Sequence, residues 1–258
     1  MGHRSGWWPV TVVLSGRAGG STHREVMMLA SLPAELRLIG GLAVMCRVGT
    51  PHRTTVDVDA VARNLERVHA AIAGLAVISS GGGQYRFEGD LDLDVIDVAA
   101  MTSDELIAEL SDGAHPLNDL ELNIVAHCWA HDSATTLDIT AVDEDTGGVL
   151  ARADGRFVAS AEGLVAMKVT TVPLRASSRP EKKASDLYDL ARVLVDGNMQ
   201  RAALRQLPDP LAEVVASRLT GWFVDATGRD RTYRVIRRFD EPRLDLDAVA
   251  DAVRDLTT

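Results

Sequence analysis

The sequence predicts an α+β protein: a mixed sheet with flanking helices over the first part of the chain, then a helical C-terminal half beginning near residue 160. Three observations carry this. Short strand-like runs recur between Leu36 and Phe157, with clear alternation at Asp57–Asp59, Leu91–Ile96 and Thr135–Val142. Stretches of helical period separate them. From Met199 onward apolar residues fall only at helical spacing, at Leu211, Val214, Val215 and Leu219 and again over Leu244–Leu256, with Pro208, Pro210 and Pro242 as punctuation. The expected division is an N-terminal appendage over 1–22, a core over 23–160 and a helical C-terminal domain over 161–258. No internal repeat or low-complexity tract interrupts it.

The elements follow in order. Residues 1–22 hold Gly, Ser, Arg and a Trp-Trp-Pro run without periodicity, and read as an appendage that is either mobile or laid on the surface as an extra strand. Thr22–Leu32 reads as a first helix ended by Pro33. Leu36–Ile39 is a short apolar strand, Gly40-Gly41 a turn, Leu42–Val48 a helical run, and the chain then passes through a polar loop into a strand carrying Asp57 and Asp59. The apolar positions Val61, Leu65, Val68, Ile72 and Leu75 predict a helix starting right after these aspartates. Gly81-Gly82-Gly83 is a loop before a hairpin of Tyr85–Phe87 and Leu91–Ile96. Thr102–Leu110 is a helix with acidic residues in its first turn. Leu120–Trp129 fits either helix or strand. Thr135–Val142 is a strand, Thr146-Gly147-Gly148 a turn, and short strands follow around Val149 and Phe157. Ala161–Thr171 reads as an amphipathic helix presenting Lys168, Val172–Lys182 as a basic, Pro- and Ser-rich loop expected to fold over a bound nucleotide, and Ala184–Val195 as a helix.

A chain of 258 residues with 46 % apolar and 25 % charged residues has ample length for a core, and its net charge of -10 argues against coating nucleic acid by bulk electrostatics. A local grip remains open, because positive charge concentrates at Arg175–Lys183 and at Arg229–Arg243, which holds six arginines. No stretch approaches the ~18 apolar residues of a membrane span. Trp7–Leu14 is too short and too poorly framed to read as a signal peptide. Cys46 and Cys128 each sit in an apolar run and read as buried free thiols, and a cytoplasmic setting is expected.

The chemistry centres on residues 36–59. Asp57 and Asp59 are two apart on a strand and share one face. Holding like charges that close is costly without a positive partner, and a divalent metal is the usual one. Gly40 and Gly41, at a strand-to-helix turn, let backbone N–H groups approach an anion at a helix N-terminus. Phosphate and metal are implied together. His127 and His131 are four apart but lack an HExxH context, and with His115 they read as packed or surface histidines. No nucleophile elbow supports serine hydrolase chemistry.

The series Gly40-Gly41, Arg53-Thr54-Thr55-Val56-Asp57-Val58-Asp59, Ala166-Met167-Lys168 and Ser185-Asp186-Leu187-Tyr188-Asp189-Leu190 resembles the nucleotidyltransferase superfamily with the DNA polymerase β-like core, and within it the AbiEii/MenT group of nucleotidyltransferase toxins. The resemblance covers roughly residues 35–195 and implies a polymerase β-like nucleotidyltransferase core. It implies an enzyme that moves NMP from an NTP to an acceptor, with a tRNA 3′ end as the leading acceptor and an antitoxin protein as partner. Small molecules such as an aminoglycoside are the alternative acceptor, and a degenerate nucleotide-binding module is the non-enzyme alternative. The expected metal is Mg2+, with Mn2+ also possible, held by Asp57, Asp59 and a third carboxylate that the resemblance puts at Asp94, with Asp92 in reserve. It further implies that Gly40, Gly41, Arg53, Thr54 and Lys168 bind the nucleotide, Lys168 at the β- and γ-phosphates, and that Asp186 orients Lys168 or the acceptor. Arg53 fits a salt bridge equally well, and Asp189, three residues from Asp186, fits a bond within the helices. Many relatives carry serine at the second glycine position. Here Gly41 stands there, and Thr54 or Thr55 is the expected substitute.

Overall fold

Strands with one covered face and one polar face alternate apolar and polar residues, and the sheet is built from such runs. A computed structural model describes residues 10–55, 57–111, 115–239 and 244–258, and of Arg238 only the backbone. Among the described residues the strands are β1 Val10–Gly16, β2 Arg37–Ile39, β3 Asp57–Arg63, β4 Ile78–Gly81, β5 Gln84–Phe87, β6 Leu91–Val98, β7 Thr135–Asp143 and β8 Val149–Val158. They form one mixed sheet in the order β1-β7-β8-β2-β3-β6-β5-β4. β3 lies antiparallel to β2 and parallel to β6, and the register sets Asp57 opposite Asp92 and Asp59 opposite Asp94. Between these acids Val58, Leu93 and Val95 go into the core.

The helices are α1 Ser21–Ser31, α2 Gly40–Val48, α3 Leu65–Ala73, α4 Ser103–Leu110, α5 Asp119–Asp132, α6 Ala161–Leu174, α7 Pro180–Asp196, α8 Asp209–Leu219, α9 Ala226–Ile236 and α10 Leu246–Thr257. α2 packs on both α6 and α7, so the segment that opens at the glycines touches the two helices that carry Lys168, Asp186 and Asp189. α4 and α5 each begin with a capping box, built by Thr102 with Glu105 and by Asn118 with Glu121. α5 settles the ambiguous Leu120–Trp129 stretch as helix. Every element described after Val158 is helical.

Several sequence expectations need correction. The strand bearing Asp57 and Asp59 runs on to Arg63, and the helix expected from Asp59 starts only at Leu65. Val61 and Ala62 are both buried, so the far half of β3 is covered on two faces and loses the alternation that marks a strand. Asn64 makes the break: it sits in the left-handed region at φ 64° and its side chain accepts the Arg67 N–H at 3.2 Å. The short strands expected around Val149 and Phe157 are one strand, β8, bent where its register with β7 shifts.

The loop expected over Val172–Lys182 shrinks to residues 175–179. Pro173 is accommodated inside α6, and the Val169 carbonyl that loses its helical partner receives the Arg218 guanidinium at 3.4 Å instead. Pro180 opens α7 at a position whose N–H would be unpaired in any case. α6 is also not amphipathic. Gly163 through Thr170 are all buried, because α2, α5, α7 and α8 surround this helix.

Within the stretch read as an appendage, β1 forms the sheet edge, parallel to β7, while residues 1–9 lie outside the described residues. Cys46 and Cys128 are free and buried, and burial pushes the Cys46 thiol up to about 12. No helix among the described residues is long and apolar enough to cross a membrane.

Candidate active site

β3 and β6 put their acids on one face of the sheet. One carboxylate oxygen from each of Asp57, Asp59 and Asp94 lies within 4.8 Å of the others. Burial, then the neighbouring Asp57, pushes the Asp59 carboxyl up to about 7, and burial followed by Asp57 also raises Asp94. These are the marks of like charges crowded without enough compensation. The Lys182 ammonium, 2.9 Å from Asp57 Oδ2, supplies part of it. Three hard oxygen donors from separate side chains, already drawing in a cation, fit a divalent metal such as magnesium. Asp92 shares the face but is spent elsewhere: Arg86 donates two hydrogen bonds to it at 2.7 and 3.1 Å and holds its carboxyl below the usual range. Asp97, on the far side, accepts the Leu65 N–H.

The two glycines are dictated by what lies above them. Gly40 has φ +70°, and a Cβ there would come within 2.0 Å of Asp59 Oδ2. A Cβ on Gly41 would come within 2.6 Å of both Arg53 Nη2 and Thr55 Cγ2. The serine of many relatives therefore has no room in this chain, because Arg53 and Thr55 fill the space. Thr55 does not replace it: it is buried, and its hydroxyl donates to Glu25. Thr54 is the exposed one and lines the cavity. The first N–H groups of α2 have no side-chain cap, so the helix N-terminus is open to an anion.

The same cavity is bordered by a charged cluster centred on the buried Lys168, Asp186 and Asp189. Lys168 Nζ lies 2.9 Å from Asp186 Oδ1 and 2.8 Å from Asp189 Oδ2. Arg53 grips Asp189 with two hydrogen bonds, at 2.8 and 2.7 Å, and His52 Nε2 lies 2.8 Å from the same carboxylate. Arg175 Nε donates to Asp186 at 2.7 Å. Burial alone would raise the Asp189 carboxyl, but Lys168, Arg53 and His52 outweigh it and hold it far below its ordinary value. Asp186 is lowered in the same way, with Lys168 and Arg175 overcoming burial. For Lys168 burial is likewise opposed, and the two aspartates keep the ammonium charged.

A cavity of about 490 Å³ joins these parts, lined by Gly40, Gly41, Thr54, Asp57 and Asp59 together with Arg53, Lys168, Arg175, Lys182 and Asp186. Asp94 lies just beyond, lining a neighbouring cleft that also includes Asp57. Of the nine site residues expected from the sequence, eight line this cavity, and Asp94 stands beside it, within 4.8 Å of Asp57 and Asp59. His52, Lys182, Asn123 and His127 were not singled out for it. Lys182 had a visible signal, its place in the first basic cluster, whereas His52 and Asn123 had none. His127 lines the cavity as a packed histidine whose Nδ1–H donates to the Asn123 carbonyl at 2.7 Å.

A glycine turn at a helix N-terminus, a carboxylate triad and a cluster of cations around one cavity can hold a metal-bound triphosphate. A family model described as "Nucleotidyl transferase AbiEii toxin, Type IV TA system" matches residues 25–256. The comparison with curated proteins gives no match. The match runs from α1 to α10 and takes in every residue of the cavity, and so the chain belongs to the AbiEii nucleotidyl transferase toxin family and is a nucleotidyltransferase.

Proposed function

We propose that the chain is a magnesium-dependent nucleotidyltransferase that moves NMP from an NTP to a tRNA 3′ end, as the cytoplasmic toxin of a pair neutralised by an antitoxin protein. The observation that supports the chemistry is the meeting of two opposite sets of charge at one cavity: Asp57 and Asp59, with Asp94 beside them, and Arg53, Lys168 and Arg175. Asp57, Asp59 and Asp94 hold the metal, Mg2+ or Mn2+ by the hardness of their oxygens. When bound, the metal neutralises the α-phosphate and makes the acceptor hydroxyl more acidic.

The chain's own residues do the rest. Backbone N–H groups at Gly40 and Gly41 receive phosphate oxygens, and Thr54 adds a hydroxyl at the rim. The acceptor hydroxyl gives up its proton to solvent as its oxygen forms a bond to the α-phosphorus, the bond from that phosphorus to the bridging oxygen breaks, and pyrophosphate leaves with the electron pair. Lys168 and Arg53 meet the charge that develops there, while Asp186 and Asp189 fix the position of both cations. The core over 23–160 thus supplies the acids and glycines, and the helical part over 161–258 supplies Lys168 and Asp186.

The tRNA acceptor and the antitoxin rest on the likeness to MenT-type toxins and on the family description. One observation favours a second reading, a cationic small acceptor such as an aminoglycoside. The neighbouring cleft of about 410 Å³ is lined by Asp57, Asp90, Asp92 and Asp94 against Arg86 alone. Incubation with α-labelled NTPs, magnesium and either total RNA or aminoglycosides separates the readings. Label on tRNA is the expected result, label on the small acceptor favours the second reading, and no transfer to any acceptor with either metal would refute both.

A further inference from the structure

Four cationic side chains line the cavity among the described residues, and their partners differ in kind. Lys168, Arg53 and Arg175 are held by Asp186 and Asp189, acids that belong to the helical wall. Lys182 is held by Asp57, 2.9 Å away, which belongs to the triad. Its side chain is 43 % exposed and extends from the first turn of α7, whereas Lys168 is buried. A divalent cation and Lys182 therefore compete for one carboxylate. Lys168, Arg53 and Arg175 keep their partners when a metal takes the triad, but Lys182 loses its own.

We propose that Lys182 is the counterion of the empty triad and a triphosphate-binding residue: it neutralises Asp57 until a divalent cation takes that carboxylate, and the released ammonium then binds the phosphates of the incoming nucleotide. This rests on the reading of the triad as the metal site. Lysine suits the exchange, being a compact charge with rotatable donors on a flexible stem. Its root on the rim of the cavity keeps the freed ammonium beside the other phosphate-facing groups. The triad is thus never left with its full charge, and the metal brings a cation to the nucleotide as it binds.

The test is a titration of the nucleotide-free full chain with Mn2+, followed by electron paramagnetic resonance, beside a second titration with an α,β-methylene NTP analogue in saturating Mn2+. Lys182→Ala is expected to bind Mn2+ about three- to tenfold more tightly, because a competing charge is gone, and the analogue about tenfold more weakly. Lys182→Arg, which keeps the charge, should stay near the wild type in both. Unchanged or weaker Mn2+ binding by Lys182→Ala, or unchanged analogue binding, would overturn the proposal. Asp57→Asn separates this failure from a deeper one. If that variant loses Mn2+ while Lys182→Ala behaves as wild type, only the role of Lys182 falls, and if it retains wild-type Mn2+ affinity, the metal site itself is misassigned and both fall.

Discussion

Gly41 gives the clearest expectation for a single residue. Restoring the serine that many relatives carry there should weaken the enzyme, since the new Cβ would meet Arg53 Nη2 and Thr55 Cγ2 at 2.6 Å. Gly41→Ser is expected to raise the Michaelis constant for NTP and lower the melting temperature, and Gly41→Ser with Thr55→Ser, which removes Cγ2 and keeps the hydroxyl bonded to Glu25, should recover part of the stability. Equal stability of the single variant and the wild type would show that the space is not limiting. Glu25 sets a pH dependence. It is fully buried, and burial above all pushes its carboxyl from 4.5 up to about 7, against the pull of the Thr55 hydroxyl. The folded state then binds one more proton than the unfolded chain between about pH 4.5 and pH 7. Stability from this group is complete below that window, falls as pH rises through it, and is gone above about pH 7, a loss of about 3 kcal/mol. Urea midpoints from pH 5 to pH 8 should fall in the wild type and fall less in Glu25→Gln. A single sequence shows neither effect. Glycine at position 41 reads as freedom for a turn, and only the packing of Arg53 and Thr55 reveals it as a lack of room.

At the scale of elements, α6 and α7 are joined to the segment before β3 through Asp189, which binds Lys168, Arg53 and His52. Removing one member of a buried charged set leaves the others uncompensated, so Asp189→Ala is expected to cost about 3–5 kcal/mol in urea unfolding. Lys168→Met should be costly alone, and the double variant should lose less than the sum of the two. Strict additivity in that cycle would show that the pair is not coupled. The sequence displays Asp189 only as the neighbour of a more conspicuous Asp186, because a helical spacing of three says which face a residue shares and nothing of what that face meets. The same limit explains α6 and β3. Lys168 was legible as a helix residue near Ala166 and Met167, but the unbroken burial of Gly163 through Thr170 erases the amphipathic pattern. β3 read as a strand only where one of its faces stays polar. The strands with solvent on one side, β5, β6 and β7, were legible nearly to their ends.

For the whole molecule, the charge of -10 must be overcome locally if the acceptor is RNA. Each basic cluster has one arginine tied to an acid and at least one other exposed. Arg175 is tied to Asp186 and Arg229 to Asp247, whereas Arg179 is exposed on the short connection between α6 and α7. Arg179→Ala should lower the slope of RNA affinity against salt by roughly one unit and leave nucleotide binding without RNA unchanged. Arg175→Ala should disturb both, since it also frees Asp186. An unaltered salt titration for Arg179→Ala would remove it from the acceptor path. Part of the Arg229–Arg243 cluster, residues 240–243, lies outside the described residues. The overall order of elements was legible because sheet and helical segments separate along the chain. Their meeting was not, because it depends on pairings between distant segments.

One such pairing bears on how the protein is made. Asp189 reaches back 136 residues to Arg53 and 137 to His52. A ribosome that has released the chain as far as Asp94 has already delivered the glycines and all three acids of the triad, but neither Lys168 nor either aspartate that anchors it. Until α7 has emerged, the growing polypeptide carries only part of the residues that line the cavity. An unfinished or prematurely terminated copy therefore lacks the cations that the proposed transfer requires.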